Sequence, residues 1–202
     1  MAVKEVKLST IEEVLTTLTT AEFNDALKRN RSAFLFRGLP NVSYKLTTSL
    51  RWNCKGKAGE LEPSILRNFS KYAASTSPLN SCWEQMVIGQ HHGLPTRLMD
   101  WTYSPLAALH FATSGEDITG MNQHDAVVWA IDITEMNTLL PAKYQKVLND
   151  ERAYLFTIDM LDRVAKDLTT YDNDMGEDGI VLLEPPSIDQ RIINQYSYFS
   201  II

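Results

Sequence analysis

One unbroken run holds the densest set of reactive side chains in the chain: Gly89-Gln90-His91-His92-Gly93-Leu94-Pro95-Thr96-Arg97-Leu98-Met99-Asp100-Trp101. His91 or His92 can exchange protons near neutral pH, as a general acid or base. Arg97 can clamp a phosphate or carboxylate with its planar fork. Asp100 can orient a histidine or simply pair with Arg97. Gln90 and Thr96 add hydrogen-bonding groups, and Trp101 adds an aromatic face. Gly93 and Pro95 impose a turn that would gather these groups at one place, and loops on a rigid scaffold commonly carry function. A plain architectural reading stands beside this one: Arg97 and Asp100 as a helix-end ion pair, with Trp101 as core filling.

Other chemistries lack their signatures. The adjacent His91 and His92 point in different directions in most backbone conformations. No HExxH pattern and no carboxylate cluster at ligand spacing accompanies them, so no metal site is expected. No nucleophile elbow, Walker loop or GxGxxG fingerprint occurs. Arg51 beside Trp52 can stack on a base, but one such pair is no nucleic-acid signature. His110 reads as a core histidine and His124 as a solvated one.

The elements that must position these residues follow from periodicity and punctuation. Residues 33–36 (Ala-Phe-Leu-Phe) read as a buried strand delivering Arg37 at its end. Two capping boxes, Ser9 with Glu12 and Thr19 with Glu22, predict a pair of amphipathic helices as an N-terminal lead-in over residues 1–31. Helices are expected over residues 60–74 and 81–90, the latter burying Trp83, Met86 and Val87. The Gly93–Pro95 turn is expected to join two helices. Ser104 followed by Pro105 predicts a helix start, and residues 104–113 are apolar on nearly every side, so that helix should be buried and central. Strands are expected at residues 126–133 and 178–183, with Glu184 ending the second. Residues 134–170 read as mostly helical and 171–177 as an acidic loop. Residues 188–195 read as a short helix or turn before a last strand through Tyr198 and Phe199. Helices and strands mix without strict alternation, which predicts an α+β domain over residues 32–202: a mixed sheet packed against the central helix.

The bulk numbers bound the rest. A chain of 202 residues with 44% hydrophobic and 22% charged residues can bury one substantial core and is not disordered. No apolar run is long enough to span a bilayer, and acidic residues interrupt the N-terminus, so a cytoplasmic protein with no membrane partner is expected. Two isolated cysteines, Cys54 and Cys82, fit reduced thiols. The net charge of −6 gives no whole-protein attraction to nucleic acid, but does not exclude a local basic pocket.

With these residues set out, a family pattern is visible. Phe36-Arg37-Gly38, followed by Leu46-Thr47-Thr48-Ser49-Leu50-Arg51, resembles the opening motif of the FRG domain. Glu62 with Ile65, Leu66 and Phe69 resembles its acidic helix. The run from Gln90 to Thr102, then Ser104-Pro105-Leu106-Ala107-Ala108-Leu109, resembles its central signature. Arg191-Ile192 with Gln195 and Phe199 resembles its closing motif. The resemblance implies a protein of bacteria, phages or mobile elements, acting in conflict or defence as a toxin or protective factor.

Two functions follow as expectations. In ADP-ribosyltransferases a strand ends in a similar aromatic-Arg-Gly element whose arginine holds NAD. Phe34-Leu35-Phe36-Arg37-Gly38 has that form, which implies NAD or a related nucleotide as ligand. Arg37, Arg51, Arg97 and Arg191, with Gln90, Thr96 and Trp101, would then bind it, Arg37 and Arg97 taking the phosphates. His91, His92, Asp100, Glu184 and Gln195 are the candidate catalytic groups. Gln195 lies at a suggestive late position, but its amide cannot replace a carboxylate in stabilising an oxocarbenium-like transition state; Glu184 is the better carboxylate. The alternative is a non-catalytic sensor of a nucleotide, a nucleic-acid end or a protein. Under either reading, Arg37, the turn and Gln195 must converge on one cleft.

Overall fold

The computed structural model describes residues 3–20, 23–25, 29–30, 32–73, 81–114, 123–176, 179–186 and 197–202. The N-terminal region opens with α1 (Ile11–Thr19). Its capping box uses Thr10 and Glu13, one residue beyond the expected pair, and the Glu13 carboxylate also accepts the Ser9 N–H at 2.8 Å. Thr19 does not start a second helix; its hydroxyl donates back to the Leu15 carbonyl at 2.7 Å. Instead β1 (Phe23–Asn24) and β2 (Arg29–Asn30) pair antiparallel. Asn and Asp are poor helix formers that favour turns as residue types, and Asn24, Asp25 and Asn30 fall in this stretch of the sequence, against the helical spacing of Phe23 with Ala26 and Leu27. Glu22, Ala26 and Leu27 lie outside the described residues.

The main sheet has five strands: β3 (Phe34–Leu39), β4 (Leu98–Thr102), β5 (Val127–Asp132), β6 (Val181–Leu183) and β7 (Ser197–Ile201). Their order is β5-β3-β4-β7-β6, so the strands expected near Arg37 and Glu184 do share one sheet. Every ladder is antiparallel, where a mixed sheet is the sequence expectation; parallel pairing occurs at the isolated bridge between Phe156 and Leu183. Side-chain alternation sends Leu98, Val181, Leu183, Phe199 and Ile201 to one core cluster and Leu35, Met99, Trp101 and Leu182 to another. With both faces of β6 covered, its three residues are all apolar and buried.

Helices α2 (Ser49–Cys54), α3 (Ala58–Ala73), α4 (Cys82–His91), α6 (Ile133–Thr138), α7 (Ala142–Glu151), α8 (Ile158–Val164) and α9 (Leu168–Met175) surround this sheet. The larger cluster joins Trp83, Met86 and Val87 of α4 to Tyr144, Leu161 and Tyr171 of α7, α8 and α9. Residues 171–175 are thus helical rather than loop. Their acidic side chains have partners inside the fold: Asp172 with Arg97, and Asp174 with Lys143. The expected central helix is α5 (Pro105–Thr113), capped by Ser104 with Pro105 in its first turn. It packs on β3 through Ala108 and Ala112, both buried, while Leu106 and Phe111 remain exposed, so its burial is one-sided. The architecture is α+β, as the sequence predicts.

Candidate ligand site

Gly38 explains how α5 and β3 approach. A Cβ built there would lie 1.8 Å from the Ala108 carbonyl oxygen, so only glycine allows the helix backbone to rest on the strand. Phe36 is buried on one side of this contact. Between them Arg37 sits inside β3, not beyond its end.

The sheet itself makes room for Arg37. Along its full length β3 pairs with β5, from Phe34 opposite Asp132 to Leu39 opposite Val127. On its other side it pairs with β4 at Phe36 and Thr102 alone. Beyond that point the strands part, and the Arg37 guanidinium crosses the gap: Nη1 donates to the Asp100 carbonyl at 2.7 Å. The same nitrogen lies 3.7 Å from Asp100 Oδ2. Burial disfavours the charge of Arg37 and lowers its pKa from the usual value, an effect that Asp100 partly offsets. Arg37 Nε is buried without an acceptor among the described residues.

Two cavities meet at this pair. The larger, about 370 Å³, is lined among the described residues by Phe36, Gly38, Trp101, Thr102, Ala108, Phe111 and Ser197, with Arg37 and Asp100. The smaller, about 230 Å³, is lined by Thr47, Thr48, Ser49, Gln90, Gly93, Leu94, Leu98 and Met99, again with Arg37 and Asp100.

The turn before β4 joins a helix to a strand, not two helices. Gly93 takes a positive φ of 79°, and the Leu94 N–H donates to the Gly89 carbonyl, ending α4. The chain then delivers Thr96, whose N–H donates to Ser49 Oγ at 3.1 Å, joining the turn to the start of α2. Thr96 Oγ1 donates to Gln90 Oε1, and Gln90 Nε2 donates to Asp100 Oδ1 at 3.0 Å. Gln90, Thr96 and Asp100 therefore form one connected chain ending at Arg37.

The other expected site residues are placed elsewhere. Arg97 faces away from the cleft into a buried cluster, where its Nε donates to both Glu62 oxygens at 2.9 and 3.0 Å and its Nη1 donates to Asp172. Burial alone would lower its pKa, but hydrogen bonds and charge from Glu62 and Asp172 outweigh that and raise it. With two carboxylates already satisfied, Arg97 is architectural and not a second phosphate donor in this arrangement. Trp101 lines the larger cavity, but its indole is committed to the core, with Nε1 donating to Ser200 Oγ at 2.9 Å. His91 packs its ring edge-on to Phe199 at 6.3 Å, its Nε2 buried without a partner among the described residues, and lines neither cavity. His92 is exposed beside Phe69. Arg51 is exposed on α2 and lines neither cavity. Glu184 follows β6, at the opposite edge of the sheet from β5, and is exposed there. Arg191 and Gln195 lie outside the described residues. Of the expected group, the fold brings together Arg37, Gln90, Thr96, Asp100 and Trp101.

Some lining residues had a weaker sequence signal. Thr47, Thr48 and Ser49 look like a cap, and Thr48 does cap α2, but their position beside Arg37 is a tertiary fact. Glu62 stands in the second turn of an amphipathic helix, on the side of Ile65, Leu66 and Phe69; an acid on the apolar face signals a buried partner. Among the described residues there is no His, Cys, Asp and Glu grouping able to hold a metal ion, and no helix long and apolar enough to cross a membrane. No curated protein and no solved structure matches the chain. The FRG domain family model matches residues 32–119, a span that includes the Phe36-Arg37-Gly38 triplet, the Gln90–Asp100 network and α5, so an FRG domain is present over that stretch.

Proposed function

We propose that the cleft between β3 and β4 binds an anionic nucleotide, NAD or a relative, with Arg37 carrying a phosphate contact. The observation that supports this most is the parting of the two strands at Arg37, which leaves a guanidinium between two cavities. Its nearest carboxylate, on Asp100, is 58% exposed and 3.7 Å away. Such a pair compensates charge weakly, so a phosphate can add to it or replace it. Calorimetry with NAD and ADP tests the reading. Arg37→Ala should weaken binding by about 1.5–3 kcal/mol, the usual value of a charge-assisted hydrogen bond. Equal affinity in the variant would sink it.

The transferase reading finds its carboxylate in Asp100 rather than Glu184, because Asp100 lines both cavities and Glu184 neither. In that reaction the glycosidic bond to nicotinamide breaks, nicotinamide leaves with the bonding electrons, and positive charge develops on the ribose carbon. The carboxylate stabilises that charge until an acceptor nucleophile adds and loses its proton. Such a protein would act in the cytoplasm, in conflict between bacteria and phages, as toxin or defence factor. Incubation of labelled NAD with cell extract reads transfer to protein or nucleic acid. Asp100→Asn should abolish transfer and leave NAD binding within severalfold; binding without transfer in the native protein favours the sensor reading instead.

A further inference from the structure

Helix α2 is held at its base and open along its outer side. The Leu50 N–H donates to the Thr96 carbonyl at 3.1 Å, and the Leu50 side chain is buried, so the helix is docked through its first turn. Arg51, Trp52 and Asn53 then face solvent, and Trp52 is 74% exposed. Tryptophan is highly buried on average in folded proteins, yet this indole has no hydrogen-bond or ring partner among the described residues. A single 3-10 turn (Lys55–Lys57) follows and adds two exposed lysines. Five of the chain's 19 lysines and arginines fall within residues 37–59, and none of its 25 acidic residues does, so this stretch opposes the overall charge of −6. Among the described residues no carboxylate pairs with Arg51, Lys55 or Lys57.

From this placement we infer that the outer side of α2 and the turn after it bind single-stranded nucleic acid. Trp52 stacks on a base, while Arg51, Lys55 and Lys57 neutralise backbone phosphates. The inference is independent of the nucleotide reading above, because none of these four residues lines either cavity. An arginine beside a tryptophan in sequence is a weak signal; the fold adds an indole left open to solvent and two further unpaired cations within one turn of it. A basic track with an aromatic platform holds a strand without reading its sequence, since every base has a flat face. A duplex keeps those faces inside its own stack and offers this surface only phosphates. An anionic bilayer would meet the same charges, but α2 turns Leu50 inward and its outer side has no apolar stripe to insert.

The test is fluorescence anisotropy on the full chain with a labelled oligothymidylate of about 15 nucleotides, near the upper end of usual site sizes. An abasic strand and a duplex of the same length, and phosphatidylserine vesicles in a parallel sedimentation assay, are the comparisons. Thermal melts confirm that each variant is folded, as expected for exposed positions. The native protein should bind the oligothymidylate at least about fivefold more tightly than the abasic strand or the duplex, the low end of a stacking contribution. Trp52→Ala should remove that advantage and leave the abasic strand within about twofold, whereas Trp52→Phe should keep most of it. The triple variant Arg51→Gln, Lys55→Gln, Lys57→Gln should make the plot of log affinity against log salt shallower by about 2, since each phosphate contributes about 0.7 on a single strand. Failure of the native protein to bind the oligothymidylate overturns the inference. So does binding that Trp52→Ala leaves unchanged, a salt slope that the triple variant leaves unchanged, a duplex bound as tightly as the strand, or tighter binding to the vesicles.

Discussion

Thr96 sets the direction of the polar chain that ends at Arg37. The Leu98 N–H donates to Thr96 Oγ1 at 3.2 Å, so the hydroxyl hydrogen is left for Gln90 Oε1. That contact turns the Gln90 amide so that its NH2 group meets Asp100 Oδ1, leaving Oδ2 on the Arg37 side. Thr96→Val keeps the shape but removes both roles of the oxygen. It should cost about 1–3 kcal/mol in denaturant titration, the penalty of unsatisfied buried groups, and weaken nucleotide binding measured by calorimetry. Arg97 calls for the opposite test. Glu62 is 2% exposed, so Arg97→Met leaves a buried carboxylate without its guanidinium; destabilisation of about 3–5 kcal/mol is expected by the same titration. Nucleotide affinity of the folded fraction should be nearly unchanged, since Arg97 lines neither cavity. Cys82 lies apart from all of this: burial first, and Asp162 second, push its thiol up to about 11. It should remain protonated at pH 7.5 and alkylate far more slowly with iodoacetamide than a free thiol.

At the scale of elements, Gly38 and α9 carry the testable consequences. Gly38→Ala would force α5 off β3, because its Cβ meets backbone rather than a yielding side chain. A loss of about 1–3 kcal/mol or more is expected, as for overpacking, together with altered nucleotide affinity because α5 carries Phe111. Helix α9 begins at Asp167, whose Oδ1 accepts the Thr170 N–H at 2.7 Å. That backbone hydrogen bond holds the Asp167 carboxyl below its usual pKa. A group lowered in the folded state stabilises above its unfolded pKa, near 4, and that contribution is lost as pH falls through the folded value. Melts between pH 6 and 3 should therefore fall less steeply for Asp167→Asn, which still caps but does not titrate. Much of this layer was legible: the strands at Phe36, Val128 and Leu182 and the helices at Trp83 and Ala108 follow from apolar spacing and caps. Among the elements that were not, β4 and α9 bear most on the site. Leu98-Met99-Asp100-Trp101-Thr102 is a short strand buried on both faces except at Asp100, so it shows no alternation to read. Acidic α9 looked like loop because its partners, Arg97 and Lys143, are remote in sequence. The same limit separates the site residues. Arg37 and Asp100 were legible as chemistry, but whether Arg97 served ligand or core depended on Glu62 and Asp172, which no local pattern joins to it.

For the whole molecule, the single register pair between β3 and β4 bears on what can stand alone. The stretch matched as FRG domain contains both strands, whose ladder pairing to each other is the single register pair of Phe36 and Thr102, with the Arg37 hydrogen bond to the Asp100 carbonyl beside it. Their continuous partners, β5 and β7, come from residues 127–132 and 197–201, outside that stretch. The recognisable signature is therefore not an autonomous folding unit in this chain. A peptide of residues 32–119 would present two unsatisfied strand edges and less than half of each apolar cluster, and should be unfolded by circular dichroism or associate through those edges. Evolutionary change in the two flanking strands would then be restrained by the need to complete the sheet, even though neither strand belongs to the matched motif.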